Sequence, residues 1–229
     1  MKIYVVIDTI SVKNNLLSLH GMSLLIETKE AGLILFGIGP SYDVLVHNLT
    51  NIGFSLKDIN FIIIPMSSRP FAGALQDILS LAFDFEIFAP PDILLSHERI
   101  KRVLRITSIS RRITLLPPLG KWRKEIIMII NILKDNYALI IPCSHLGVIN
   151  TINYALSFLK KFKIYSIIGG FHLSDYDVLT FNELMEIIRK LDVKKVVPLY
   201  CTSIKVRDKI LKHLNLTYKC GVGLELQLP

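Results

Sequence analysis

The sequence predicts one domain of mixed α and β structure, of the α/β or α+β class. Its first half is rich in short apolar runs bounded by turn residues, which is typical of strands, and its second half alternates between helix and strand patterns. Apolar residues make up 51% of the chain, so it can bury a substantial core. Because no linker, repeat or low-complexity segment interrupts residues 1–229, we expect a single domain.

Apolar runs in the first half predict five strands and two helices. The strands are expected at 1–8, Ser23–Thr28, Gly32–Phe36, 59–64 and 86–88. A helix is expected from Pro40, because proline is tolerated in a first turn and apolar residues follow at helical spacing as far as Ile52. A second helix is expected over 71–83.

The rest of the chain predicts a less regular middle and a regular end. The middle is expected to hold a helix over 93–102 and strands over 103–108 and 113–116. A hairpin of 126–133 and 137–141 is expected around Lys134-Asp135-Asn136. The expected order after it is helix 148–160, strand 164–168, helix 180–190, strand 194–198, helix 203–213 and strand 216–219. Thr180 and Glu183 form a capping box at the second of these helices.

The cysteine content and the N-terminal segment predict a cytoplasmic protein. The three cysteines are an odd, sparse set, which favours a reducing compartment over a disulfide scaffold. The N-terminal apolar run is too short and too soon acidic for a signal peptide, and no apolar run is long enough to span a membrane. Scarce Gln with abundant Ile, Leu and Lys indicates a thermophilic source.

The net charge of +8 favours anionic partners, which are phosphorylated small molecules, nucleic acid or acidic proteins. Much of it crowds one segment, made of Lys101, Arg102, Arg105, Arg111, Arg112, Lys121, Arg123 and Lys124. Two interpretations stay open: a solvated surface whose long side chains pack along their stems, or an arm that binds anions.

Four predicted strands end in turns that carry polar side chains. These turns are 65–71, 142–147, 169–172 and 200–203, and we call them together the rim. In open α/β sheets ligands bind beyond the carboxyl ends of strands, where helix N-termini also present free N–H groups. The rim is therefore the predicted functional site.

Five motifs in order resemble the metallo-β-lactamase superfamily, and within it the branch of the dihydropterin–ribofuranosyl-aminobenzene-phosphate synthase-like proteins. The motifs are His20-Gly21-Met22-Ser23, Phe36-Gly37-Ile38-Gly39-Pro40-Ser41, Cys143-Ser144-His145-Leu146-Gly147, Gly169-Gly170-Phe171-His172-Leu173 and Pro198-Leu199-Tyr200-Cys201-Thr202-Ser203. The resemblance covers nearly the whole chain. It implies an αββα sandwich, a core of two sheets flanked by helices.

The chain departs from this superfamily where the metal ligands would be. The Ser-His-x-His-x-Asp-His signature matches 65–71, whose four ligand positions hold Met66, Ser68, Pro70 and Phe71. None of these is a normal ligand for a hard or borderline dication. Gly37 and Tyr200 stand where the resemblance implies a further Asp and His, and Arg69 adds a positive charge that disfavours metal.

We therefore expect no metal cofactor. If a metal binds, the implied ligands are His145, His172 and Cys201, in a mononuclear zinc or iron site. The remaining histidines, His20, His47, His97 and His213, are interpreted as surface or packing residues, although the segment of His20 matches the branch.

The rim is instead rich in groups that suit an anion. The candidate ligand-binding residues are Ser67, Ser68, Arg69, His145, His172, Tyr200, Cys201, Thr202 and Ser203. The leading hypothesis is a metallo-β-lactamase-like protein that has lost two-metal hydrolysis and binds a phosphorylated or nucleotide-like ligand. The alternatives are an atypical mononuclear hydrolase or synthase, and a nucleic-acid-binding module that uses 101–124. Catalytic residues are not assigned.

Overall fold

Two mixed β-sheets form the centre of the structure, a computed structural model that describes residues 1–133, 135–159 and 163–229. The order across the first sheet is β13 (Glu225–Gln227), β1 (Lys2–Ile7), β2 (Ser23–Thr28), β3 (Gly32–Phe36), β4 (Ile59–Ile63), β5 (Glu86–Ala89) and β6 (Ile100–Arg102). Pairing is antiparallel from β13 to β3 and parallel from β3 to β6.

The second sheet places three parallel strands side by side. Its order is β12 (Lys195–Leu199), β11 (Lys163–Gly170), β10 (Asn136–Ile141), β9 (Met128–Leu133), β8 (Ile113–Leu115) and β7 (Thr107–Ser108). The strands β10, β11 and β12 are parallel, and the remaining pairs are antiparallel. The carboxyl ends of these three strands therefore meet at one edge of the sheet.

Helices cover the outer face of each sheet. They are α1 (Tyr42–Asn51), α2 (Arg69–Ala72), α3 (Leu75–Ser80), α4 (Val148–Leu156), α5 (Val178–Lys190) and α6 (Ile204–His213), and a 3₁₀ turn spans Leu56–Asp58. One apolar core lies between the sheets, a second packs α1 and α3 on the first sheet, and a third packs α4, α5 and α6 on the second. The layers are thus α, β, β and α, which confirms the implied fold class.

The long, strongly patterned elements lie where the sequence places them. The strands Ser23–Thr28 and Gly32–Phe36 match their predicted bounds, and most other strands and helices differ from theirs by one to four residues at an end. Lys134 of the expected hairpin turn and Lys160 at the end of the expected helix lie outside the described residues.

The predicted helix over 71–83 is wrong, because it is divided into α2 and α3. The division falls at Gly73, which packs so closely on Pro40 that a Cβ on Gly73 would lie 2.6 Å from the Pro40 Cα. The predicted helix over 93–102 is also wrong. Its end is the edge strand β6, in which Ile100 pairs with Ile87. The backbone gains a sheet partner there that local sequence does not indicate.

Three further predictions need correction near the chain's irregular segments. The strand expected over 103–108 shrinks to the two residues of β7. The helix α5 begins at Val178, two residues before the predicted capping box, and Asp177 at its N-cap accepts hydrogen bonds from Ser174. The strand expected over 216–219 does not form. Instead the Tyr218 hydroxyl bonds both the N–H and the C=O of Val196 on the edge strand β12.

Within the ranges that the structure covers, we find no helix long and apolar enough to cross a membrane.

Candidate functional site

The rim turns come together at one edge of the molecule. Three of them follow the parallel strands β10, β11 and β12 directly. The turn after β4 joins them because the Ile126 N–H donates to the Pro65 carbonyl at 2.8 Å, and because the Phe71 ring meets the Tyr200 ring edge-on at 5.2 Å between centroids. Several cavities border the rim.

A buried carboxylate, Glu125, holds the turn after β10. Its Oε2 accepts from the backbone N–H groups of Cys143 at 3.3 Å and Ser144 at 2.8 Å. Its Oε1 accepts from the His145 backbone N–H at 2.8 Å and contacts His145 Nδ1 at 2.6 Å. Burial opposes ionisation of Glu125, but the hydrogen bonds from His145 and Ser144 outweigh it and lower the pKa of this carboxyl.

The contacts of His145 fix which of its nitrogens carries the proton. Because Nδ1 faces a carboxylate, it is the donor, and Nε2 is left with a lone pair. The Arg123 guanidinium, which has only donors, lies 2.8 Å from that Nε2. A protein cation therefore occupies the lone pair that a metal ion would use.

Two cysteines and His172 form a second group beside His145. The His172 backbone N–H donates to Cys201 Sγ at 3.2 Å, and its Nδ1 lies 3.3 Å from Cys143 Sγ. Burial opposes a thiolate on Cys201, but hydrogen bonds with Cys143 and His172 lower its pKa to about 6. Conversely, hydrogen bonding to Cys201 and burial raise the pKa of Cys143, and the bond to Cys201 raises the pKa of His172.

A metal-ligand group is present, but its thiol differs from the expected one. One ligand atom each from Cys143, His145 and His172 lie within 4.8 Å of one another, whereas we expected Cys201 to join the two histidines. Thiolate and imidazole ligands suit zinc. The donor set therefore fits one soft or borderline ion, provided that Arg123 leaves Nε2 of His145.

The residues at the other implied ligand positions do not fit a second ion. Met66 and Phe71 are buried in the core between the sheets, and the Pro70 carbonyl accepts the Met22 N–H at 3.1 Å. Gly37 has no room for an Asp, because a Cβ there would lie 2.4 Å from the Met22 carbonyl oxygen at a φ of +77°. These positions therefore offer no side-chain ligand for a second cation.

Arg69 does not join the other candidate residues. It lines a separate cavity with Leu19, His20 and Pro40. The positive charge beside the histidines comes from Arg123, which the sequence places in the basic segment but not among the site residues. Our assignment of that charge to Arg69 is corrected accordingly.

Ser67, Ser68 and Tyr200 line a cavity of about 370 Å³ together with Arg123 and His145. It also contains Asp92 and the exposed Trp122. Ser67 donates to Asp92 Oδ2 at 2.8 Å, while Asp92 Oδ1 and Ser68 Oγ are buried with no hydrogen-bond partner among the described residues.

A buried ion pair fixes the backbone of the turn after β12. The Tyr200 N–H donates to Asp8 at 2.6 Å, and Asp8 pairs with Arg207, both fully buried. Tyr200 takes a φ of +44°, its hydroxyl lies 3.4 Å from His20 Nε2, and burial raises its pKa to about 12. His20 is thus a rim residue through this contact.

Thr202 and Ser203 are engaged in the fold. The Thr202 Oγ1 accepts the Phe171 N–H at 3.0 Å and is buried. Ser203 caps α6, since its hydroxyl accepts the Val206 N–H at 3.3 Å and donates to Asp175. Thr202 and Ser203 also line a cavity of about 530 Å³, together with His172 and Cys201. We assign both residues a mainly structural role.

Sequence reasoning missed Glu125 and Asp92. Glu125 is an isolated acid at the end of a basic run and directly before a buried strand segment, which is the available signal. Asp92 follows Pro90 and Pro91 in an irregular segment, and no sequence motif there indicates a functional residue.

Comparisons with known proteins support the fold. No family model matches the chain. The 7,8-dihydropterin-6-methyl-4-(β-D-ribofuranosyl)-aminobenzene-5′-phosphate synthase of Methanocaldococcus jannaschii is 22% identical, over 86% of this chain and 86% of the relative. Among solved structures, Tm1679, a metal-dependent hydrolase of the β-lactamase superfamily, is 26% identical with a TM-score of 0.77, over 100% of this chain and 99% of that one.

A second solved structure, the metallo-β-lactamase fold protein YhfI of Bacillus subtilis, is 10% identical with a TM-score of 0.66, over 99% of each chain. The chain is therefore a protein of the metallo-β-lactamase fold. Its similarity to the synthase, predicted from the motifs, is also confirmed.

Proposed function

We propose that this protein binds a phosphorylated small molecule at the rim and does not carry out two-metal hydrolysis. The observation that carries the proposal is the contact between Arg123 and Nε2 of His145 at 2.8 Å. A guanidinium there supplies the positive charge that a metal would otherwise supply, and it is held by the chain of contacts from Glu125 through His145.

The chemistry of Arg123 suits a phosphate. A guanidinium has five N–H donors, so the one facing His145 leaves others for a ligand, and its planar fork matches two phosphate oxygens. The net charge of +8 adds a general attraction for anions. The similar synthase carries a phosphate in its printed name, which supports the same ligand class.

The cavity also favours a ligand that carries hydrogen-bond donors. Asp92 Oδ1 and Ser68 Oγ lack a hydrogen-bond partner within the described ranges, and a buried acceptor without a donor costs about 1–3 kcal/mol. Sugar phosphates and nucleotides combine an anion with hydroxyl donors. They are the class that we propose.

Isothermal titration calorimetry with ribose 5-phosphate and adenosine monophosphate tests this proposal. We expect Arg123→Ala to weaken binding by about tenfold or more, since a hydrogen bond to a charged group contributes about 1.5–3 kcal/mol. Arg69→Ala is the matched control and should bind like the wild type, because Arg69 lines a different cavity.

Two results would contradict the proposal. One is that neither probe binds the wild type, and the other is that Arg69→Ala weakens binding as much as Arg123→Ala. Tight binding of a random oligonucleotide that falls steeply with salt would favour the nucleic-acid alternative instead.

A mononuclear metal site is the second candidate, because one observation favours it. A ligating histidine commonly donates its other ring N–H to a carboxylate, as His145 does to Glu125. Cys143, His145 and His172 would hold the ion, which would supply a Lewis acid when bound. Elemental analysis separates the two candidates, since stoichiometric zinc or iron in the purified protein favours this one.

The cysteine content keeps the cytoplasm as the proposed location, and the thermophilic source stays a prediction from composition.

A further inference from the structure

We propose that Cys143 and Cys201 form a reversible oxidation site, in which a hydroperoxide converts their two thiols into a disulfide within the chain. All three cysteines are free thiols in the structure. The proposal rests on how the fold brings two of them together.

Cys143 and Cys201 come from strands that are not neighbours. They follow β10 and β12, and β11 lies between these strands. Strands two positions apart in a sheet are roughly 10 Å apart, which exceeds the Cα separation of about 7 Å that a disulfide can bridge. Contact between the two residues therefore needs a special arrangement at the end of β11.

Gly170, the last residue of β11, provides that arrangement. A Cβ on Gly170 would lie 2.7 Å from Cys201 Sγ and 3.1 Å from the Cys143 Cα. The missing side chain lets Cys201 reach across the end of β11, where its sulfur lies 3.3 Å from the Cys143 carbonyl oxygen.

His172 contacts both sulfurs and fixes their relation. Its N–H donates to Cys201 Sγ at 3.2 Å, and its Nδ1 lies 3.3 Å from Cys143 Sγ. The residue has a φ of +53°, in the left-handed region. Cys220 differs, because it lies in the core beside Asp8 and Arg207, away from the other two sulfurs' shared contact with His172.

Access decides which sulfur reacts first. Cys201 is half-buried and borders the cavity of about 530 Å³, whereas Cys143 is 2% exposed. The Cys201 thiol attacks the O–O bond of hydrogen peroxide, which yields a sulfenic acid and water. The Cys143 thiol then displaces the hydroxyl group from the Cys201 sulfur, and that hydroxyl group leaves with the Cys143 proton as a second water. In total, two thiols lose two electrons and two protons, and the peroxide becomes two waters.

Mass spectrometry of the full chain tests the proposal. The purified protein is dialysed against a chelator so that no bound metal protects the thiols, treated with hydrogen peroxide, and blocked with N-ethylmaleimide. We expect the loss of two free thiols, a cross-linked peptide that joins 143 to 201, and recovery of both thiols with dithiothreitol. Cys220→Ser, the matched control, should give the same cross-link.

The single variants complete the test. Cys143→Ser and Cys201→Ser should each lose the intramolecular cross-link, with thermal unfolding curves that show the variants to be folded. In Cys143→Ser, Cys201 should instead proceed to sulfinic acid, which dithiothreitol does not reverse. Unchanged wild-type thiols after peroxide, cross-links only between chains, or a cross-link that includes Cys220 would overturn the proposal.

Discussion

Glu125 is the residue on which the geometry of the rim depends most. One carboxylate accepts three backbone N–H groups and the imidazole N–H of His145, so it fixes both the turn and the ring. Glu125 is only 4% exposed, so water cannot replace these hydrogen bonds, and losing them would destabilise the fold. The orientation of His145 toward Arg123 therefore follows from Glu125.

Replacing Glu125 by Gln tests this role. We expect the free energy of unfolding to fall by about 3 kcal/mol, because a neutral amide cannot accept from all four donors. Chemical denaturation near neutral pH measures the change. Glu183→Gln is the control and should change little, since Glu183 is exposed.

The same variant should also change the pH dependence of stability. The pKa of Glu125 is lowered below its usual value of 4.5 in the folded chain. Its contribution is therefore present above that value and is lost as the pH falls through the folded pKa. Glu125→Gln should flatten the stability curve in this acidic range, and an unchanged curve would contradict the assigned hydrogen bonds.

The sequence could predict the histidines of the site but not their partners. His145 and His172 stand in motifs next to strand ends, where local pattern is informative. Glu125 and Arg123 reach His145 only through tertiary contacts across about twenty positions of chain, and no spacing rule connects them.

At the scale of elements, the turn after β12 depends on the end of β1. Asp8 follows β1, and it binds both the Tyr200 N–H and the guanidinium of Arg207 on α6. This buried pair joins the first sheet to the second at the rim. Its two members are 199 positions apart, so sequence pattern alone gave no sign of it.

Breaking this pair should therefore destabilise the fold and the rim together. We expect Asp8→Asn to lower the free energy of unfolding by about 4 kcal/mol, because it leaves the Arg207 charge buried without its partner. Thermal or chemical unfolding measures this. Lys2→Gln, which removes an ion pair with Glu225 between half-exposed side chains, is the control and should have no comparable effect. Equal effects of the two variants would contradict the assignment.

The elements that the sequence misplaced are those that lack a pattern of their own. The edge strand β6 forms because β5 offers it a partner, and Tyr218 completes the edge of β12 with a side chain instead of a strand. In contrast, β2 and β3 have apolar runs bounded by turn residues, and these were predicted with their observed bounds.

For the whole molecule, the fold is one that holds metal ions in similar proteins, whereas most of the expected ligand positions hold residues that do not bind metal. The layers and the similar structures are those of the metallo-β-lactamase fold. Met66 and Phe71, at two of the positions that the resemblance assigns to metal ligands, are buried in the core, and Arg123 faces His145. Within the basic segment, Lys101 pairs with Glu86 and Arg112 with Glu30, so these two charges have acidic partners in the fold.

Metal content is the most direct test of the central claim that Arg123 takes the place of the metal pair. Purified wild-type protein is incubated with excess zinc, desalted and measured by inductively coupled plasma mass spectrometry, alongside Arg123→Ala. We predict well under half an ion per chain in the wild type and about one ion per chain in the variant, in which Nε2 of His145 is free. One or more tightly held ions per wild-type chain would contradict the account.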